Sequence, residues 1–362
     1  MSHAVEARID LTALGYNVRK VRELAPGRKI MAVIKANAYG HGMVRVAGAL
    51  EGVDALAVAR VDEAVMLRDA GIDRPIVLLA GFFDTAELDA VIAYGLHVVV
   101  HHEYQLCLLE QAHVKQPLPV WLKVDTGMHR LGIAESRVDD CWRRLQACPA
   151  VGAVGLMTHL ASADELDSDQ TPQQLARFAQ ATRNLDAPRS IANSAAVMKW
   201  PASLGDWVRP GVMLYGASPF CDSVGEREGL KPVMTLSSRL IAVNRFHRGD
   251  PIGYGATWVC PEDMPVGVVA CGYGDGYPRH AGSGTSVLIR GQQVPLVGRV
   301  SMDTLCVDLR GCPQAGIGDS VTLWGRGLPV ETVARRASTI AYELLCGVTG
   351  RVKVNGVESS NI

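Results

Sequence analysis

The stretch "AVIKANAYGHG" (residues 32–42) ends an apolar run on a lysine, Lys35. An amine where a buried strand stops has its charged form disfavoured, which frees its lone pair for an aldehyde and suits it to a Schiff base. Taken on position alone, Lys35 reads first as a cation that snorkels to water, and the residues around it shift that reading. Other polar residues stand at the ends of similar apolar runs: Lys123 with Asp125, His159, Asn193 with Ser194, and Tyr215. Tyr39 and two glycines follow Lys35, while Ser194 and "RPGVMLYG" (residues 209–216) add a hydroxyl, Arg209 and Gly211. Backbone N–H groups and hydroxyls in such loops bind phosphate. A Schiff-base lysine facing a phosphate cradle points to pyridoxal 5′-phosphate.

The elements that must position these residues are legible as eight short apolar, β-rich runs: "IMAVI", "DALAVA", "PIVLLA", "LHVVV", "PVWLKV", "AVGLMT", "RSIAN" and "GVMLY". Most gaps between them, such as "DEAVMLRDAG", "EYQLCLLEQA" and "TPQQLARFAQATRNL", carry apolar residues three and four apart and predict helices. Strand then helix, repeated, implies a parallel sheet. Continuous apolar strands buried on both faces fit a closed (β/α)8 TIM-type barrel, whose active site lies at the C-terminal ends of its strands. A doubly wound sheet would call for a GxGxxG turn after the first strand, and "IKANAYGHG" has none.

After about residue 230, "VMTLSSRLIAV", "GVVACGYG", "SVLIRG", "TLCVDLR" and "SVTLWG" read as strands separated by Gly, Pro and Asp turns. The fold class expected is therefore α/β, an N-terminal barrel followed by a predominantly β C-terminal domain. The pattern alone does not assign the alternating segment "MSHAVEARIDL".

The 362 residues carry 36 Lys and Arg against 37 Asp and Glu, which removes any global basic field for nucleic acid or an anionic membrane. No apolar run approaches a membrane span, and the N-terminus lacks the basic start and apolar run of a signal peptide. Nine scattered cysteines with no CxxC spacing predict reduced thiols and a cytoplasmic location. Adjacent histidines in "HHEYQ" (residues 101–105) point apart and lack a third ligand, so no metal is expected.

The motifs "AVIKANAYGHG", "LKVDTGMHRLG", "THLASADE", "NSAA", "RPGVMLYGASP", "GYGATW", "GYGDGYPR", "GRVSMD" and "TIAYELLC" resemble, in order and spacing, those of bacterial alanine racemases, most closely the catabolic branch. The resemblance covers practically the whole chain. It implies a barrel over residues 12–228, a β domain over 229–362 that recruits residues 1–11, and a homodimer with shared active sites. It also implies racemisation of alanine with pyridoxal 5′-phosphate, the D-alanine supplying peptidoglycan or feeding alanine catabolism.

By the same resemblance Lys35 is the cofactor lysine and the base on one face, and Tyr254 of a partner subunit the base on the other. Two opposed groups remove and return the α-proton without crossing the ring plane. A phenol ordinarily keeps its proton to about pH 10, so a tyrosine base needs cationic or hydrogen-bonding neighbours, for which His159 and Arg209 are candidates. Arg209 is expected at the pyridine nitrogen, and Tyr39, Ser194, Tyr342 and the backbone of Gly211 and Val212 at the phosphate. Arg130, with Met302 and Asp303, is expected to take the substrate carboxylate, since an arginine fork pairs bidentately with one. Lys123 matches a position carbamylated in many relatives. Tyr273 and Tyr342 would narrow the access corridor, with Asp164, Arg279 and Arg299 farther out. His129 stands where many relatives carry Gly or Asn. A broader-specificity or serine racemase would keep the same bases with a wider slot, and a non-catalytic carrier of the cofactor would lack the β domain.

Overall fold

The computed structural model describes residues 5–357; the outermost parts of the expected N-terminal strand and C-terminal domain lie outside the described residues. Two compact units result. One comprises Val18–Ala38 and Met43–Leu214, the other Tyr39–Gly42 with the described residues up to Asn17 and from Tyr215 onward.

The first unit is the expected closed barrel. Its parallel strands run in chain order as Lys29–Val33, Ala55–Val58, Ile76–Leu78, His97–Val100, Leu118–Asp125, Val151–Met157, Arg189–Ser190 and Trp207–Val208. The last pairs with the first, Trp207 opposite Lys29 and Val208 opposite Ile30, and this closes the ring. Ala55–Val58 and Ile76–Leu78 are wholly buried, and His97–Val100 and Leu118–Asp125 nearly so, which is why they read as unbroken apolar runs. Helices such as Met43–Ala49, Val61–Asp69, Thr85–Ala93, Glu103–Gln111 and Gln170–Ala181 occupy the gaps where three-and-four spacing predicted them.

One strand differs from the sequence reading. The eighth is Trp207–Val208, and "GVMLY" instead forms a 3-10 turn at Val212–Tyr215. Pro210 has no N–H to continue the ladder, and the N–H groups of Gly211 and Met213 turn away to the Ser194 hydroxyl, 2.8 and 3.4 Å away.

The barrel interior is filled. Trp121 and Trp207 meet edge to face with ring centroids 5.9 Å apart, and the Lys29 ammonium lies 5.2 Å from the Trp207 ring. Trp121 covers Gly155 on the next strand so closely that a Cβ there would stand 2.5 Å from the indole. Lys123 and Arg209 lie two residues beyond these tryptophans, on the same side of each strand and one pleat nearer the C-terminal mouth.

The second unit is mainly β. Met234–Phe246 pairs with both Ser320–Trp324 and Met264–Val269, which closes a ring through Leu305–Asp308, Gln292–Val297 and Ser286–Ile289. Glu6–Asp10 joins this sheet, antiparallel to Met234–Phe246 and parallel to Lys353–Val357. Tyr277 and Trp324 stack in its core at 5.9 Å. Two short helices, Val330–Arg336 and Ala341–Cys346, precede the last strand. Among the described residues no helix is long and apolar enough to cross a membrane.

Candidate active site

Lys35 follows the first barrel strand, and the chain after it takes an unusual path. Ala36, Asn37, Ala38 and Tyr39 have φ of 53, 53, 54 and 52°, a left-handed turn made without glycine. Such backbone costs roughly 1–2 kcal/mol per residue and persists only where its surroundings hold it. Ala38 N–H donates to Ile34 O at 2.8 Å, Asn37 Oδ1 accepts from Met43 N–H at 2.8 Å, and Glu63 Oε1 accepts from Ala36 N–H at 2.6 Å.

Around the same mouth the barrel gathers cations. Lys123 is buried, and burial, followed by repulsion from Arg209, Arg130 and Lys35, lowers its amine to about 8 against a weaker opposing pull from Asp125. Arg209 is also buried, and burial lowers its guanidinium to about 10, still protonated at neutral pH. Its Nη1 donates to Ser190 Oγ at 2.9 Å, and its Nη2 is shared among Thr158 O, Ile191 O and His159 Nδ1. A guanidinium only donates, so His159 Nδ1 accepts and the imidazole carries its proton on Nε2. Burial, then Arg209, Lys123, Arg130 and Lys35, hold His159 well below its ordinary pKa and hence neutral.

Ser194 begins the helix Ser194–Lys199, but Asn193 caps it, with Oδ1 accepting from Ala196 N–H at 3.1 Å. The buried Ser194 oxygen instead accepts Gly211 and Met213 N–H. Both lone pairs are thereby engaged, which leaves the hydroxyl proton for an anion. Gly211 N–H, nominated for the phosphate, thus reaches the site through Ser194.

His129 sits at φ 53°. That explains a position suited to Gly or Asn, since both tolerate the left-handed region. Its N–H and Nδ1 reach Asp125 at 3.0 and 3.1 Å, and Gly127 N–H adds a bond of 3.1 Å. Burial would raise the Asp125 carboxyl, but these partners outweigh it and hold it below its usual value. Arg130, next along, is exposed, and Asp164 is half-buried.

In the second unit, Tyr39 stacks on Tyr215 at 4.7 Å and lies 6.0 Å from the Tyr342 ring. Burial, then Tyr342 and Cys346, push the Tyr39 phenol well up, making it a donor. Tyr215, in the sequence reading a strand-end polar group, is 2% exposed and packs between the Tyr39 ring and the His41 ring, the latter 4.5 Å away. Tyr254 lies in a turn whose glycines, 253 and 255, have φ of 75 and 74°, and it is 68% exposed. Arg299 flanks that turn, because a Cβ on Gly255 would meet its guanidinium at 3.1 Å. Tyr273, Arg279 and Met302 are exposed. Gly274 N–H donates to Met302 O at 2.9 Å, and Arg351 ties Asp303 (2.7 Å) to Asp275 (3.3 Å).

Sequence reasoning missed the buttresses. Glu63, Arg351 and Gln174, whose Nε2 holds His159 O at 3.0 Å and Thr126 Oγ1 at 3.2 Å, look like ordinary surface or helix residues in one dimension. Only the position of Glu63 in the first turn of its helix gives any signal. His101 and His102 find separate partners, Ala80 O and Tyr104 N–H. Among the described residues no group of three or more His, Cys, Asp or Glu is placed to hold a metal.

The sequence profile of the alanine racemase N-terminal domain matches residues 9–219, and that of the alanine racemase C-terminal domain residues 233–355. The chain belongs to the alanine racemase family. The alanine racemase of Nitrosococcus oceani is 58% identical over 351 residues, 96% of this chain and 98% of that one. The crystal structure of biosynthetic alanine racemase from Pseudomonas aeruginosa superposes with a TM-score of 0.96 at 43% identity, covering 99% of this chain and 100% of that one. Alanine racemase from Bartonella henselae, with a TM-score of 0.89 at 28% identity over 98% of this chain and 100% of that one, was solved with covalently bound pyridoxal phosphate. Family membership makes the chain an isomerase, an amino-acid racemase.

The residues here fit that cofactor. Arg209, Arg130 and Lys35 all act on Lys123 as like charges, with Asp125 opposing them, so the barrel mouth is rich in cations suited to an anionic phosphate.

Proposed function

We propose that the chain interconverts L-alanine and D-alanine with pyridoxal 5′-phosphate, using Lys35 and the Tyr254 of a partner subunit as opposed bases in a homodimer. The observation that carries this reading is the cation-rich barrel mouth around Lys35 in a chain that matches the alanine racemase family along its length. Bound there, the cofactor would supply an electron sink that acidifies the α-proton of the amino acid joined to it.

The chain's own groups then have distinct work. Lys35 holds the cofactor and moves a proton at its Nζ on one face; the tyrosine hydroxyl moves one on the other. Exposure of Tyr254 in a single chain accords with a side chain that completes its surroundings in an assembly. Arg209 donates to the ring nitrogen without surrendering its proton, which limits side reactions such as transamination. Neutral His159 is held by Arg209 with its Nε2 proton as donor. The hydroxyls of Ser194, Tyr39 and Tyr342, with the Val212 backbone, take the phosphate, and Gly211 acts through the Ser194 hydroxyl it holds.

Lys123 is suited to carbamylation, because an amine near pKa 8 is partly neutral at physiological pH and can attack CO2, releasing a proton and leaving an anion. That anion would orient Arg130, which with Met302 and Asp303 takes the substrate carboxylate. Tyr273 and Tyr342, with Asp164, Arg279 and Arg299 outside them, restrict access to a small side chain and favour alanine over serine or lysine. The enzyme works in the cytoplasm, either supplying D-alanine to peptidoglycan or sending it to oxidation. A deletion strain that requires D-alanine would assign the first role, and one that only fails to grow on alanine the second.

A chiral assay tests the reaction. Purified protein with added cofactor should convert L-alanine to D-alanine saturably, and faster than it racemises serine or lysine. No conversion, or a preference for a larger amino acid, would overturn the assignment.

A further inference from the structure

We infer that Glu63 is a positioning residue for Lys35, holding the strained turn that aims the amine. This rests on the reading of Lys35 as the cofactor lysine. Glu63 is the third residue of the helix Val61–Asp69, and its Oε2 accepts the N–H groups of Ala59 at 2.8 Å and Arg60 at 3.2 Å. That half of the carboxylate caps its own helix. The other half does something a cap does not require. Oε1 crosses to the neighbouring strand end and takes the N–H of Ala36 at 2.6 Å, immediately after Lys35 and at the start of the left-handed turn.

Other restraints on that turn are local in sequence: Ala38 N–H to Ile34 O, Met43 N–H to Asn37 Oδ1, and the His41 ring to Tyr39 O. Glu63 ties the turn itself to a second barrel strand, the one ending at Val58. A carboxylate bound to three backbone N–H groups is a stronger and more directional hold than a neutral acceptor. Loosening it lets residues 36–39 relax toward ordinary backbone and swings the lysine stem away from its reacting position.

Glu87 supplies a control. It occupies the same position in the next helix, Thr85–Ala93, and accepts Phe83 N–H at 2.7 Å, yet the bond reaches no residue assigned to the site. Glu63→Gln keeps the shape but presents an N–H2 to one of the facing N–H groups. In the full-length protein it should slow borohydride-trapped attachment of pyridoxal phosphate to Lys35, and lower kcat for alanine, each by roughly tenfold, with KM within about twofold. Amide exchange at Ala36 should quicken. Glu87→Gln should leave trapping, kcat and Ala36 exchange unchanged. If the two variants behave alike in trapping and kcat, Glu63 is only a helix cap and the inference is overturned. If the wild type fails to trap the cofactor on Lys35, the cofactor reading is what fails; quickened Ala36 exchange in Glu63→Gln alone would still support the hold, and unchanged exchange would sink it.

Discussion

Lys123 shows how a single buried side chain couples this fold to pH. Its amine titrates near 8 in the folded protein against 10.5 when free. Below pH 8 folded and unfolded chains both bind the proton, so the burial cost is constant. Between about 8 and 10.5 the unfolded chain keeps a proton that the folded chain has released, so stability should rise with pH, by roughly 3 kcal/mol in all. Urea unfolding in CO2-free buffer at intervals from pH 7.5 to 10 measures this. Lys123→Met should flatten the rise, and an identical slope in the variant would refute the assignment to Lys123. Supplying 13CO2 should produce a carbamate carbon resonance that Lys123→Met lacks.

Elements depend on close approaches that allow little substitution. The strand Val151–Met157 passes beneath the Trp121 ring only because residue 155 has no side chain. Gly155→Ala should cost about 1–3 kcal/mol, since a Cβ at 2.5 Å must displace an indole that is itself packed on Trp207. Equilibrium denaturation with an unchanged m-value would report it, and a neutral variant would show that the barrel interior yields more readily than its packing implies. The loop after Asp125 makes a different demand. His129 holds a left-handed conformation there, so His129→Gly should stay within about 1 kcal/mol of wild type, whereas His129→Val should lose more, because a branched Cβ clashes in that region. Equal stabilities for the two variants would exclude backbone strain as the constraint. At the element scale the sequence was clear about strands and helices with a continuous pattern. It was misleading at "GVMLY", where five apolar residues satisfy a strand template but Pro210 and the pull of Ser194 on two N–H groups impose a turn.

For the whole molecule the question is whether a site is completed by a second copy. Lys35→Ala and Tyr254→Phe should each abolish racemisation alone. If sites are shared, mixing them 1:1 under conditions that exchange subunits makes half the dimers mixed, and each mixed dimer carries one intact site. Activity should then recover to about a quarter of wild type, as the symmetry of a closed dimer requires. A mixture that stays inactive although sedimentation shows exchanged dimers would mean that Lys35 and Tyr254 act within one protomer.

By itself the sequence determined the alternation of strand and helix, the later β-rich domain and the chemical types at the strand ends. These are local properties: burial on both faces writes an unbroken apolar run, and the residue that ends it is by construction at the rim. Lys35, Lys123, His159 and Ser194 were legible for that reason. What tertiary structure decided was every property that depends on residues far apart in the chain. Closure of the barrel brings Arg209 against His159 and fixes its tautomer, and sets Lys123 among other cations that shift its proton. It also spends the Ser194 lone pairs on Gly211 and Met213, and carries Glu63 across to Ala36. Hydrogen bonds and Coulomb interactions act over a few ångströms in space, whereas the pattern of a sequence records only what each residue does to its own element.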